Sequence, residues 1–162
     1  MKKINFLTQA AMIAALYVVL TLAINAFGLA SGAIQVRVSE ALTILPYFTP
    51  AAIPGLFIGC LLSNTITGCA LFDIIFGSIA TLLGAVGTYL LRRHKWLAPV
   101  SPIIANTIIV PFVLSYVYGT PGTIPYLMLT VGIGEVLSCG VLGMVLLFAL
   151  NKYRTILFGV QN

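Results

Sequence analysis

The stretch Ile34–Thr67, IQVRVSEALTILPYFTPAAIPGLFIGCLLSNTIT, decides the fold. It is hydrophobic, yet Pro46, Pro50 and Pro54 interrupt it, and a proline inside a helix removes a backbone hydrogen bond and kinks or breaks the helix. It is also too short for two upright membrane helices, each of which needs about 20 apolar residues. The flanking charges show how often it crosses. Seven of the eight basic residues fall in three clusters: Lys2-Lys3, Arg92-Arg93-His94-Lys95, and Lys152 with Arg154. Lys and Arg near span ends favour the cytoplasm, which puts all three clusters on one side. An even number of crossings must then separate Lys3 from Arg92, and hydrophobicity argues that Ile34–Thr67 crosses twice. The expectation is two short or broken helices meeting near Pro46–Pro50. Irregular backbone at membrane depth is tolerated only where protein buries it or where it lines a cavity, so a binding site would be built here. A five-helix chain would instead put the Arg92 cluster outside.

Outward from this stretch lie four apolar runs long enough to span alone: Ile4 to Leu29, Leu71 to Leu91, Leu97 to Tyr118, and Ile124 to Leu150. Of 162 residues, 60% are hydrophobic and 7% charged, against roughly 25% charged in a soluble domain. A water-soluble globular fold is excluded. Six spans use up the chain, so residues 1–162 form a single transmembrane domain. The expected fold is all-α and polytopic, with six transmembrane helices, both termini cytoplasmic, in the plasma membrane. Segments around Ser31 to Ser39, Asn64 to Ala70 and Gly119 to Thr123 fall outside. Tyr89, Trp96, Tyr118, Tyr126 and Tyr153 fall near the interfaces, as an aromatic belt requires. Lys2-Lys3 followed by an apolar run also fits a signal peptide, but Ile4 to Leu29 is long for its hydrophobic region and reads as a retained span. Cys60, Cys69 and Cys139 lack metal-ligand spacing and read as packing residues. The net charge of +5 is a topology signal, not a nucleic-acid patch.

Arg37, Glu40, Asp73 and Glu135 remain, each in or beside an apolar segment. A charge in hydrocarbon costs at least about 2.5 to 3.5 kcal/mol on insertion scales, and such residues normally face a bundle interior or a cavity. Asp73 is followed at helical spacing by Gly77, Thr81, Gly84 and Thr88, and Glu135 shares a face with Ser138, Cys139 and Gly143. Stripes of small residues mark close helix packing, so both acids should point inward. Arg37 and Glu40, three residues apart, share a helix face. With Asn64 and Asn106 these groups fall in the outer half of the bundle, as expected of a pocket that captures a solute from outside. Alternatives stay open at each position: a surface ion pair for Arg37 with Glu40, a helix-dipole role for Asp73, interhelical bonds for Asn64 and Asn106. Tyr47, Phe72 and Phe76 either stack on a planar ligand or simply pack. Three acids against one arginine favour a ligand that is cationic or rich in donors. A carboxylate accepts two parallel bonds from a guanidine-like edge.

The blocks Gln35-Val-Arg-Val-Ser-Glu-Ala-Leu42, Leu45-Pro46, Pro54-Gly-Leu-Phe-Ile-Gly-Cys60 with Asn64, Asp73-Ile-Ile-Phe-Gly-Ser-Ile-Ala-Thr81, Asn106 and Gly134-Glu135 together resemble the QueT family of queuosine-precursor transporters, over nearly the whole chain. The resemblance implies a substrate-binding S component of an energy-coupling factor (ECF) importer. Such a subunit binds its nutrient from outside, then joins a transmembrane scaffold subunit and two cytoplasmic ATPase subunits. The implied ligand is a 7-deazaguanine such as preQ1, queuine or queuosine. It also implies small residues on the first helix at the scaffold contact, supplied here by Ala10, Ala11, Ala14 and Ala15. These 162 residues contain no Gly-x-x-x-x-Gly-Lys-[Ser/Thr] phosphate loop, so ATP is expected to be used by partners, with no cofactor or metal in this chain. The competing reading is an autonomous proton-coupled secondary transporter in which Asp73 or Glu135 relays protons, although no inverted repeat relates the two halves. With one His and no His-Glu-x-x-His metal motif or nucleophile–base pair, an enzyme is not expected.

Overall fold

The computed structural model describes residues 2–27 and 37–158. Gln35 and most of the Ser31 to Ser39 segment lie outside the described residues. Helix α1 (Lys2–Ala26) is followed by a 3-10 helix (Val38–Tyr47), α2 (Ala52–Ile66), α3 (Leu71–Leu90), α4 (Val100–Tyr116) and α5 (Ile124–Glu135). From α5 the chain runs on through a π-helical stretch (Val136–Leu142) into α6 (Gly143–Asn151), and a short α7 (Arg154–Phe158) follows. Counting Ile124–Asn151 as one rod and setting the short α7 aside, the described residues form six helical rods, the second and third short, and no strand.

By length and composition, three rods can cross a membrane: Ile4–Ala26, Leu71–Leu90 and Ile124–Asn151. The run expected to span from Leu97 to Tyr118 is helical only over the 17 residues of α4, because the chain from Leu91 through Pro99 is spent on turns. At 1.5 Å per residue this is roughly 26 Å, just under a hydrocarbon core of about 30 Å.

The proline-broken stretch behaves as its sequence requires. The 3-10 helix holds Pro46, ends one residue later, and turns at Phe48–Ala51 into α2. Runs of 3-10 helix beyond three or four residues are uncommon because their hydrogen bonds are poorer. This one is 10 residues long, eight of them buried, and lies at the centre of the bundle, touching α1, α2, α3, α6 and the π stretch. Protein on all sides, rather than lipid, covers the irregular backbone. Two glycines admit α1: a Cβ on Gly55 would lie 2.7 Å from the Ala10 carbonyl oxygen, and one on Gly59 2.8 Å from Tyr17 Cβ. Gly84 likewise lets Pro102 of α4 approach, its would-be Cβ being 2.7 Å from Pro102 Cα.

This α1–α2 contact divides the four alanines of the first helix. Ala10 and Ala14 are buried against α2 of the same chain, and only Ala11 and Ala15 are exposed. The four alanines therefore lie on two faces, one already occupied.

The polarity of the molecule is inverted relative to a soluble protein. Leu7 and Leu90 are about 70% exposed, as they would be toward lipid, while Glu40, Ser63, Ser78, Thr81 and Thr88 are fully buried. Apart from Arg37, the elements that carry the basic residues meet at one end. Lys95, in the α3–α4 turn, lies 5.4 Å from the Phe148 ring near the end of α6. Phe158 of α7 stacks on Phe48 with centroids 5.2 Å apart. Thr49, beside Phe48, donates to Gln9 near the start of α1 at 2.8 Å.

Candidate functional site

At the opposite end, the last turns of α1, α2 and α4 and the first turn of α3 surround a cavity of about 350 Å³, within the usual range of roughly 300–1,000 Å³ for small-molecule sites. Arg37, Asn64 and Asp73 line it, with Thr21, Asn25, Ser39, Thr67 and Tyr118. Local sequence puts Asn64 and Asp73 side by side. Gly68, at φ +74°, closes α2 with paired bonds from Cys69 N–H to the Asn64 carbonyl (3.0 Å) and from Gly68 N–H to the Thr65 carbonyl (3.2 Å). That is a Schellman turn, for which glycine is the favoured residue. Two residues later α3 begins, and Asp73 lies in its first turn, where the helix dipole stabilises a carboxylate. Asp73 accepts a hydrogen bond from the Tyr118 hydroxyl at Oδ2 (2.9 Å), and that hydroxyl accepts from Ala70 N–H (3.1 Å).

Beneath this cavity lies a second polar group that does not line it. At the edge, Thr21 donates to Ser39 (2.9 Å). The next residue, Glu40, is fully buried and accepts from Tyr17, from Thr81 (3.1 Å) and from Asn106 (3.3 Å). The same Asn106 amide donates to Glu135 (3.1 Å), which also accepts from Cys139 (3.2 Å). Ligand atoms of Glu40, Glu135 and Cys139 lie within 4.8 Å of one another, a spacing that could accept a cation. In this structure Tyr17, Thr81 and Asn106 already hold their oxygens. The π-helical stretch starts directly after Glu135, and such widened turns occur mostly as isolated features near functional sites.

The six residues singled out in the sequence thus divide three and three. Arg37, Asn64 and Asp73 line the cavity; Glu40, Asn106 and Glu135 knit the bundle below it. Arg37 and Glu40 do not form the suspected ion pair, since Glu40's bonds go to neutral groups. None of the three aromatic residues considered for stacking reaches the cavity. Phe72 and Phe76 stack on each other at 6.4 Å on an exposed apolar groove with Phe112 and Tyr116, and Tyr47 packs edge-on against Phe48. Sequence reading missed Tyr17 and placed Tyr118 in the aromatic belt. The available signal for Tyr17 was its position on the face of Ala10 and Ala14, one turn before Thr21.

A family model described as QueT transporter matches residues 7–152, and the chain belongs to that family. Over 86 residues it is 37% identical to the queuosine precursor transporter QueT of Lactococcus lactis subsp. cremoris, a match that covers 52% of this chain and 50% of the relative. The chain thus spans about half the length of the curated relative it matches. No solved structure matches the chain. Family membership and the lipid-suited surface make this a membrane protein of a transporter family.

Proposed function

We propose that this chain is the substrate-binding S component of an ECF-type importer, and that the cavity captures a queuosine precursor, a 7-deazaguanine such as preQ1, queuine or queuosine, from outside the cell. The observation that carries the reading is the position of the cavity, at the end away from the basic turns. Under the positive-inside rule that end is exterior and both termini are cytoplasmic. The relative's name supplies the substrate class. The lining combines one carboxylate, one guanidinium, amides and hydroxyls, groups suited to the several donors and acceptors of a planar heterocycle. Arg37, Asn64 and Asp73 bind the ligand, while Glu40, Asn106 and Glu135 hold the helices that shape its floor. Energy comes from ATP used by two cytoplasmic ATPase subunits, reached through a transmembrane scaffold that meets α1 on the Ala11 and Ala15 face. Titration calorimetry of the purified protein with 7-aminomethyl-7-deazaguanine tests the reading: saturable binding supports it, and absence of binding refutes it.

One observation favours a second reading. Glu40 and Glu135, both buried, share a single amide donor, an arrangement that a proton-coupled carrier could use. Uptake in cells lacking the ATPase subunits separates the two. Undiminished accumulation selects the carrier, and its loss selects the S component.

A further inference from the structure

Asp73 and Asn64 offer different chemistry from the two-oxygen fork that a lone carboxylate presents to a guanidine-like edge. Asp73 Oδ2 is taken by Tyr118. A Cβ placed on Gly77, one turn after Asp73, would lie 3.3 Å from Asp73 Oδ1 and 3.2 Å from Asn64 Nδ2. Both atoms therefore lie close to the same Cβ-free position on α3. Asn64 Nδ2 is turned toward Cys60 Sγ at 3.6 Å, a weak contact that leaves its second N–H available. Both residues line the cavity. Together they offer the cavity one acceptor and one donor, and a side chain at Gly77 would crowd both.

We propose that Asp73 Oδ1 and Asn64 Nδ2 form a reading head for a lactam edge, a ring N–H next to a ring C=O, with Tyr118 as the positioning residue that fixes which carboxylate oxygen is offered. Asp73 Oδ1 accepts from the ring N–H, and Asn64 donates to the carbonyl. A 6-amino ring has the inverse pattern, a bare ring nitrogen beside an amino group, and sets lone pair against carboxylate and N–H against N–H. Turning the Asn64 amide over relieves only the second clash. The inference rests on the reading of the cavity as a deazaguanine site.

The test compares two probes on the purified full chain by calorimetry: 7-aminomethyl-7-deazaguanine and its 2,6-diamino counterpart, which differ only at this edge. The wild type should prefer the lactam by roughly tenfold or more, as for mismatched bidentate pairs elsewhere. In Asn64→Asp, which swaps the donor for an acceptor, that preference should collapse. Equal wild-type affinities, or an unchanged preference in a folded Asn64→Asp protein, overturn the inference while leaving the substrate reading intact. Failure of the lactam probe to bind at all overturns both. Should Asn64→Asp not fold, the wild-type comparison stands alone, and Gly77→Ala, whose methyl would press on both groups, must weaken the lactam probe. Unaltered binding there counts against the proposal.

Discussion

Tyr118 donates its hydroxyl hydrogen to Asp73 at 2.9 Å across 45 residues of chain, tying the segment after α4 to the first turn of α3. The same oxygen accepts the Ala70 N–H, so one phenol satisfies an orphan helix donor and orients an acid at once. Removing it should loosen Asp73 without emptying the cavity. Tyr118→Phe is expected to weaken 7-aminomethyl-7-deazaguanine binding about tenfold, near the low end for a hydrogen bond to a charged group, with thermal stability little changed. Wild-type affinity in this variant would remove Tyr118 from the account.

The division of the acids into cavity-lining and floor residues predicts an order of effects. Asp73→Asn keeps the shape and removes the charge facing the cavity, and should cost more than about tenfold in affinity. Glu135→Gln keeps an acceptor for Asn106, 3.1 Å away, and should change affinity by no more than about threefold, a cost well under that of a lost charged hydrogen bond. Calorimetry on both variants checks the ranking, and the reverse ranking places the ligand at the lower group.

The α1–α2 contact predicts a stability effect away from the cavity. A methyl on Gly59 would lie 2.8 Å from Tyr17 Cβ and 3.0 Å from the Ala14 carbonyl oxygen, so Gly59→Ala should force the helices apart. Overpacking of this kind costs about 1–3 kcal/mol, and for a chain of this size that lowers the melting temperature by several degrees. Thermal unfolding in detergent measures it; an unshifted midpoint means the helices are not packed this closely.

The two faces of α1 should separate in function. Ala11 and Ala15 are exposed and Ala14 is buried. Replacing Ala11 and Ala15 together by leucine should abolish co-purification with the scaffold subunit while leaving ligand affinity unchanged. Ala14→Leu should instead reduce folded yield. Scaffold association that survives the double replacement assigns the docking face elsewhere.

Much of the architecture was legible because a few residues constrain it tightly. Pro46 and Pro50 located the bend that the structure shows between Tyr47 and Ala52. The stripe from Asp73 through Gly77, Thr81, Gly84 and Thr88 is buried as its spacing required. The 3-10 winding of Val38–Tyr47 was not legible, since it reflects packing on every side rather than local preference. That winding also sends Ser39 to the cavity and its neighbour Glu40 into the interior, which no periodicity in the sequence distinguishes. Tyr17 and Tyr118 escaped for a related reason: their partners, Glu40 and Asp73, lie 23 and 45 residues away, and spacing rules do not extend so far.

The claim on which the rest depends is that a guanine-like solute occupies the chamber bordered by Asp73. Mass spectrometry of small molecules released from protein purified after expression with 7-aminomethyl-7-deazaguanine in the medium addresses it most directly. The account predicts one equivalent of that compound from the wild type and little from Asp73→Asn. An unrelated solute from the wild type, or equal recovery from both proteins, would contradict it.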